Sequence, residues 1–413
     1  PIINRFNISR ETSVSLPFLF MRMKNFEKLL LCLLTFLCFF ACTEDPEDNE
    51  DSRQPAENTI IMFFPWSNNL KPCFLQNIKD FKQVLQQTGT ENERYVVCIE
   101  STRGNVDIIE LRKSNGAYVE DTLDSYSDPM FTTSEGITHL LDRLYPKFPS
   151  NTYSMTVGCH GTGWVPAGSF STRSAIVGSD ETPVPETRFI GGTTTDSQIE
   201  ISTFKEGIKN SKIKKLEMIL FDNCYMANIE VAYELKDVCK HIVAYPTEVM
   251  AYGFPYQISG KYLIGGVDYE NVCESFYKFY VNYERPCGTI STINCDALDT
   301  LARFMKKVNF SLDATVHVEA SSLQRMDGYD PTVFVDFEDY VYHLTDNTQW
   351  LSEFDNLMTV VIPYKRNTPT YYSALGGEIS IGKFCGITTS EPSEHSLMSA
   401  YKKTSWYMAT HEN

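Results

Sequence analysis

The sequence predicts an α/β fold: a mostly parallel sheet flanked by helices, followed by a C-terminal α+β subdomain. Three observations carry this. Apolar runs of strand length recur through the first 295 residues, segments of helical periodicity separate them, and beyond about residue 296 the alternation loosens. Strand–helix alternation is the pattern of a parallel sheet, because each crossover returns the chain to the same end of the sheet.

Taken in order, the first strand is Thr59-Ile60-Ile61-Met62-Phe63-Phe64, an apolar run too short for a helix and stopped by Pro65. A polar turn, Ser67-Asn68-Asn69, leads into a helical pattern over 70–85. Tyr95-Val96-Val97-Cys98-Ile99 is the second strand, and 134–144 reads as a helix. The third strand, 153–159, stops at His160, and a helix over 199–208 follows. The fourth, Leu216-Glu217-Met218-Ile219-Leu220-Phe221, ends at Asp222, and the fifth is His241-Ile242-Val243-Ala244-Tyr245. Between them, Met226, Ala227, Ile229, Val231, Ala232 and Leu235 give a helical period over 225–235. Further on, helices are expected over 296–308 and 334–344 and a short strand over 377–381. The segment 164–196 fits neither pattern. It has four glycines, three prolines and many Ser and Thr, and loops of that length are usually functional or mobile.

The first 42 residues stand apart. A basic start (Arg22, Lys24, Lys28) precedes an apolar run over 29–41. As a helix this run rises only about 20 Å, short of a ~30 Å hydrocarbon core, so it reads as an export signal and not a spanning helix. It closes on Ala41-Cys42, which resembles a bacterial lipobox with Cys42 as the lipidated residue; a plain secretory signal is the alternative. Residues 1–20 precede the first methionine and read as upstream read-through. The acidic stretch 43–57 reads as a disordered tether, 58–295 as the main domain and 296–413 as the subdomain. The expected location is outside the cytoplasm, with Cys42 lipid-anchored to an outer membrane and the domain periplasmic or on the cell surface. Membrane attachment is expected through that lipid alone.

Composition narrows the function. With 42% apolar and 22% charged residues the 413-residue chain is ordinary globular protein. A net charge of −17 argues against nucleic acid as a partner and is compatible with a basic one. Nine of the twelve cysteines follow the leader, with no Cys-x-x-Cys pair, so zinc is not expected and no disulfide pairing can be read. There is no phosphate-binding loop, dinucleotide fingerprint or His-Glu-x-x-His.

Ligands of open α/β sheets collect at the carboxyl ends of strands. Here one strand ends in His160-Gly161-Thr162-Gly163-Trp164 and another in Asp222-Asn223-Cys224. An imidazole and a helix N-terminus both favour a thiolate, and the 225–235 period places Cys224 at such a terminus. The amides of Gly161 and Cys224 are candidates for an oxyanion hole. Cys159 is adjacent to His160, but strand neighbours point to opposite faces. The competing reading is a packed thiol and a satisfied core histidine, with Asp222 as a helix cap. Trp66 and Trp164 read as packing residues.

These residues resemble the clostripain family of cysteine peptidases, relatives of caspases, legumains and gingipains. His160-Gly161-Thr162-Gly163-Trp164 is similar to the family's His-Gly-Ser-Gly-Trp, and Asp222-Asn223-Cys224-Tyr225-Met226-Ala227 to its Asp-Ala-Cys-Leu-Met-Ala. Phe64-Pro65-Trp66-Ser67-Asn68-Asn69-Leu70 is similar to its Asp-Asn-Asn-Leu stretch, with Ser67 in place of Asp, and Tyr245-Pro246-Thr247-Glu248 to the segment after the next strand. The resemblance implies a caspase-like sheet, Cys224 as nucleophile and His160 as general acid or base. It implies that Asp222 lies in the primary specificity pocket, where a carboxylate suits an Arg or Lys side chain. Asn223 departs from the usual Ala. The resemblance further implies a zymogen cut between the two motifs, here after Arg173, with Arg188 the second choice, and protein or peptide substrates with Arg or Lys at the cleavage site. No cofactor is required; calcium is compatible, though the acidic residues do not form an EF-hand loop. A catalytically silent lipoprotein binding a protein partner in the same cleft is the alternative.

Overall fold

A computed structural model describes residues 53–66, 69–169, 191, 197–313 and 316–412. The leader with Cys42, the tether through residue 52, Ser67, Asn68, Arg173 and Arg188 lie outside them. β1 (Ala56–Phe64) is buried continuously from Thr59 onward. Burial on both faces is the condition of a central parallel strand, and β1 takes that place. It pairs in parallel with β2 (Glu93–Thr102) on one side and β5 (Ser150–Gly158) on the other. β6 (Leu216–Asp222) and β7 (Cys239–Ala244) extend the parallel set beyond β5.

Antiparallel strands close both sides. β3 (Asn105–Ser114) and β4 (Ala117–Ser127) add a hairpin next to β2. β8 (Thr289–Asn294) runs against β7, and β10 (Tyr364–Asn367) against β8. The nine-stranded order is β10-β8-β7-β6-β5-β1-β2-β3-β4. A two-residue strand between them in sequence, β9 (Val335–Asp336), pairs instead with Thr388–Thr389.

Helices cover both faces. On one, Ile137 of the helix Ser134–Lys147 and Phe204 of the helix Ile201–Asn210 meet Phe63, Val157 and Phe221. On the other, Phe74 of the helix Lys71–Thr88 stacks on Phe64, and Phe276 of the helix Tyr269–Tyr280 on Tyr245, at 4.7 and 5.0 Å between ring centres. The expected boundary near residue 295 falls just after β8. Beyond it, the helix Leu298–Ser311 is followed by β10, which returns to the same sheet, and Asp51–Asn413 form one compact unit. Among the described residues no helix is long and apolar enough to cross a membrane.

Two expected elements differ. The 334–344 helix begins at Phe337, after β9. The 225–235 helix begins only at Ile229. Tyr225 adopts φ 59°, a left-handed conformation no helix tolerates. Its N–H donates to Thr247 O at 3.1 Å, as does that of Ala227 to Tyr245 O. Residues 225–227 therefore pair with the chain leaving β7. Asn228 is the true cap, its Oδ1 accepting from Val231 N at 2.9 Å.

Candidate active site

The register of β5 on β6 sets Gly158 opposite Asp222, so His160 and Cys224 each lie two residues beyond the paired ends of adjoining strands. The turns they occupy are tied together. The Asn223 side-chain amide donates to Cys159 O at 2.7 Å and also reaches Cys159 Sγ and His160 O, at 3.0 and 3.3 Å. Here lies a reason for Asn at this position: the side chain is wholly buried and bridges the two strands. Gly161 packs on the Cys224 peptide so closely that an added Cβ would lie 2.4 Å from Cys224 O. Gly163 has φ 64° and lies against Asn228 and Tyr225 O, where no side chain fits.

His160 is 3% exposed and its Nε2 is 3.0 Å from Asn69 Oδ1. With that oxygen as acceptor, Nε2 carries the proton and Nδ1 holds the lone pair of the neutral ring. Asn69 reaches it because β1 neighbours β5. The resemblance includes Asn69 without giving it a task; it lies in the turn between β1 and the helix Lys71–Thr88.

Cys224 is wholly buried. Val249 N–H donates to its Sγ at 3.4 Å, and Sγ donates to Val249 O at 3.7 Å. Because the helix begins at Ile229, Cys224 does not sit at a helix N-terminus, and the expected help from the helix dipole falls away. Cys159 lines a small apolar cavity with Phe63, Trp66, Phe204 and Phe221 on the face of Ile137 and Phe204, as strand alternation requires.

Asp222 is wholly buried and caps no helix. Its Oδ1 accepts from Phe254 N at 2.8 Å and from the Tyr245 hydroxyl at 3.2 Å; Oδ2 accepts from the Asn77 amide at 3.4 Å. Its side chain thus faces the helix Lys71–Thr88 and the 252–254 turn. Trp164 is a packing residue, its indole N–H donating to Ser390 Oγ at 2.7 Å and its ring lying edge-on to Tyr401.

Ser390 N–H and Thr389 Oγ1 both donate to Glu230 Oε1, at 3.0 and 3.2 Å. Burial pushes the Glu230 carboxyl up to about 8. A cavity of about 460 Å³ whose lining includes Glu93, Arg94, Arg112 and Lys113 lies at the opposite end of the sheet, where β2 begins. Among the described residues, His317, Glu319 and Glu394 bring three possible metal-ligand atoms within 4.8 Å of one another. All three are exposed and none belongs to the motif turns.

A caspase-like sheet with a thiol and an imidazole at adjoining strand ends is the architecture of a cysteine peptidase. The sequence profile of the clostripain family matches residues 64–368, and the chain belongs to that family. It is 43% identical to a secreted C11 cysteine protease from Bacteroides thetaiotaomicron, "iotapain", over 87% of this chain and 100% of that one, with a TM-score of 0.78. An inactive zymogen C11 protease from Parabacteroides distasonis is 25% identical over 87% of this chain and 99% of its own, TM-score 0.72. A clostripain from Bacteroides thetaiotaomicron in complex with the peptide inhibitor BTN-VLTK-AOMK is 46% identical over 55% of this chain and 100% of its own, TM-score 0.52. No curated protein matches the chain.

Proposed function

We propose that this chain is an exported endopeptidase that cleaves polypeptides after Lys or Arg, with Cys224 as nucleophile and His160 as the group that takes and returns the proton. The observation that carries the reading is the placement of both residues two positions beyond paired strand ends, with Gly161 packed on the Cys224 peptide. The Cys224 proton passes to His160, and Sγ attacks the scissile carbonyl. The amides of Gly161 and Cys224 are the candidate donors to the developing oxyanion. Collapse breaks the C–N bond, His160 protonates the departing amine, and an acyl-thioester remains. Water activated by His160 hydrolyses it and restores the thiol.

Asp222 is the group that reads the basic side chain. In this reading a bound ammonium or guanidinium takes over from the Asn77 amide and the Tyr245 hydroxyl as partner of the carboxylate. The Lys that ends the peptide portion of BTN-VLTK-AOMK, bound by a relative, supports a basic preference. The loop 164–196 is the segment cut on activation, after Arg173, with Arg188 the alternative site, and Cys42 is the residue lipidated at the outer membrane. The relatives described as secreted and as an inactive zymogen support export and synthesis as a zymogen.

The test is hydrolysis of fluorogenic peptides that differ only in Lys, Arg, Asp or Ala before the reporter. Turnover of the Lys and Arg peptides, abolished in Cys224→Ala, is expected. Turnover after Asp or Ala alone would overturn the specificity, and full activity in Cys224→Ala would overturn the nucleophile. Purified Cys224→Ala should also remain uncut at Arg173; processing like the wild type would rule out self-cleavage.

A further inference from the structure

Tyr225 directly follows Cys224 and holds a left-handed backbone, φ 59°, a conformation that L-residues adopt only at a cost. Its surroundings over-determine that conformation. The backbone N–H is tied to Thr247 O. The ring stacks on Phe334, with 5.2 Å between centres and 22° between planes. The hydroxyl donates to Glu248 Oε1 at 2.5 Å.

Glu248 is itself buried and fully engaged. Oε1 also accepts from Ser373 Oγ, and Oε2 accepts from Ala374 N at 3.0 Å. Phe334 is fixed in its turn by Asp327, whose carboxylate accepts from the amides of Tyr329, Val333 and Phe334. The residue after Glu248 is Val249, whose N–H contacts Cys224 Sγ. One carboxylate thus reaches the thiol from two sides: through Tyr225, which fixes the Cys224 peptide, and through Val249, which touches the sulfur.

We propose that Glu248 is a positioning residue for the reaction: by linking the Tyr225 hydroxyl to Ser373 and Ala374 through its carboxylate, it sets the orientation of Cys224 Sγ and of the Cys224 amide. The inference rests on the reading of Cys224 as nucleophile. A carboxylate suits the task because the Tyr225, Ser373 and Ala374 donors need acceptors on both oxygens. Glutamine keeps one acceptor oxygen and turns an NH2 toward a remaining donor. Tyr225→Phe deletes a single hydroxyl and leaves the ring stack.

The experiment measures kcat and KM on a Lys-containing fluorogenic peptide, with competent sites counted by an irreversible peptidyl acyloxymethyl ketone ending in Lys. Glu248→Gln and Tyr225→Phe should each lower kcat per labelled site by about 10- to 100-fold while KM moves by less than about 3-fold. The double variant should be no worse than the poorer single one, because both remove the same link. A merely structural role would lower the number of labelled sites and leave kcat per site unchanged, which would overturn the proposal, as would effects that multiply in the double variant. If Glu248→Gln fails to fold, Tyr225→Phe decides alone. Turnover retained in Cys224→Ala would remove the nucleophile reading instead, and the positioning role with it.

Discussion

Replacing Gly161 by alanine isolates the contact between the two motif turns. Gly161 is not among the residues with positive φ, so alanine adds no backbone strain there and the added methyl acts by its bulk alone. That Cβ would stand 2.4 Å from Cys224 O, 2.8 Å from Asn223 Cβ and 3.1 Å from Cys224 N. An ordinary carbon–oxygen contact is about 3.3 Å, so the turns must part by roughly 0.9 Å. Asn223 resists the separation, since its amide spans both strand ends. Overpacking of this kind costs about 1–3 kcal/mol of stability. A displacement near 1 Å between reacting groups costs on the order of 100-fold in rate. Steady-state kinetics on the fluorogenic Lys peptide should therefore show kcat/KM about 100-fold lower, with a melting temperature only a few degrees down. Wild-type kcat/KM in a folded Gly161→Ala protein would refute the reasoning, because the turns would then tolerate the separation without consequence for the chemistry.

Asn69→Ala removes the oxygen that faces His160 Nε2. It should lower kcat by about 10-fold or more with little change in KM, read on the same peptide. Glu230→Gln tests the buried carboxyl at the Trp164 side of the site. Burial raises its folded-state value to about 8 from 4.5, so the native state holds the proton more tightly than the unfolded chain. Stability from this group is fully present below about pH 4.5 and is lost as pH rises through 8. Glu230→Gln should flatten that decline, and melting curves from pH 5 to 9 that superimpose on the wild type would contradict it.

Much of the fold was legible because central parallel strands must be apolar on both faces. β1, β2, β5, β6 and β7 could all be read from their runs, with ends displaced by a few residues. The β3–β4 hairpin escaped the same reading because β4 is largely open to solvent and has no such run. Its signal was the turn Asn115-Gly116, which adopts φ 50° and 83° as a tight hairpin demands.

His160 and Cys224 stood out as reactive residues at strand ends, and alternation set Cys159 aside. The start of the helix after Cys224 did not emerge, because Met226 and Ala227 continue an apolar period into a segment that pairs with 245–247 instead. Asn228 was the overlooked cap. The partners of His160 and Tyr225 depend on which strands and loops become neighbours, and local periodicity carries no record of that.

Under the proposed cut, the ladder between β5 and β6 holds the two pieces together. The loop holding Arg173 and Arg188 lies with the helix Ile201–Asn210 between these two strands in sequence, while five register pairs from Ser154–Met218 to Gly158–Asp222 join them in space. A nick in the loop removes a covalent link but none of those pairings, nor the Asn223 bridge above them. The product should run as two bands on a denaturing gel and elute as one particle from a sizing column. Either fragment alone would present the raw edge of a long buried strand, an open template for aggregation. Maturation by such a cut would therefore yield two polypeptides that survive only as a couple.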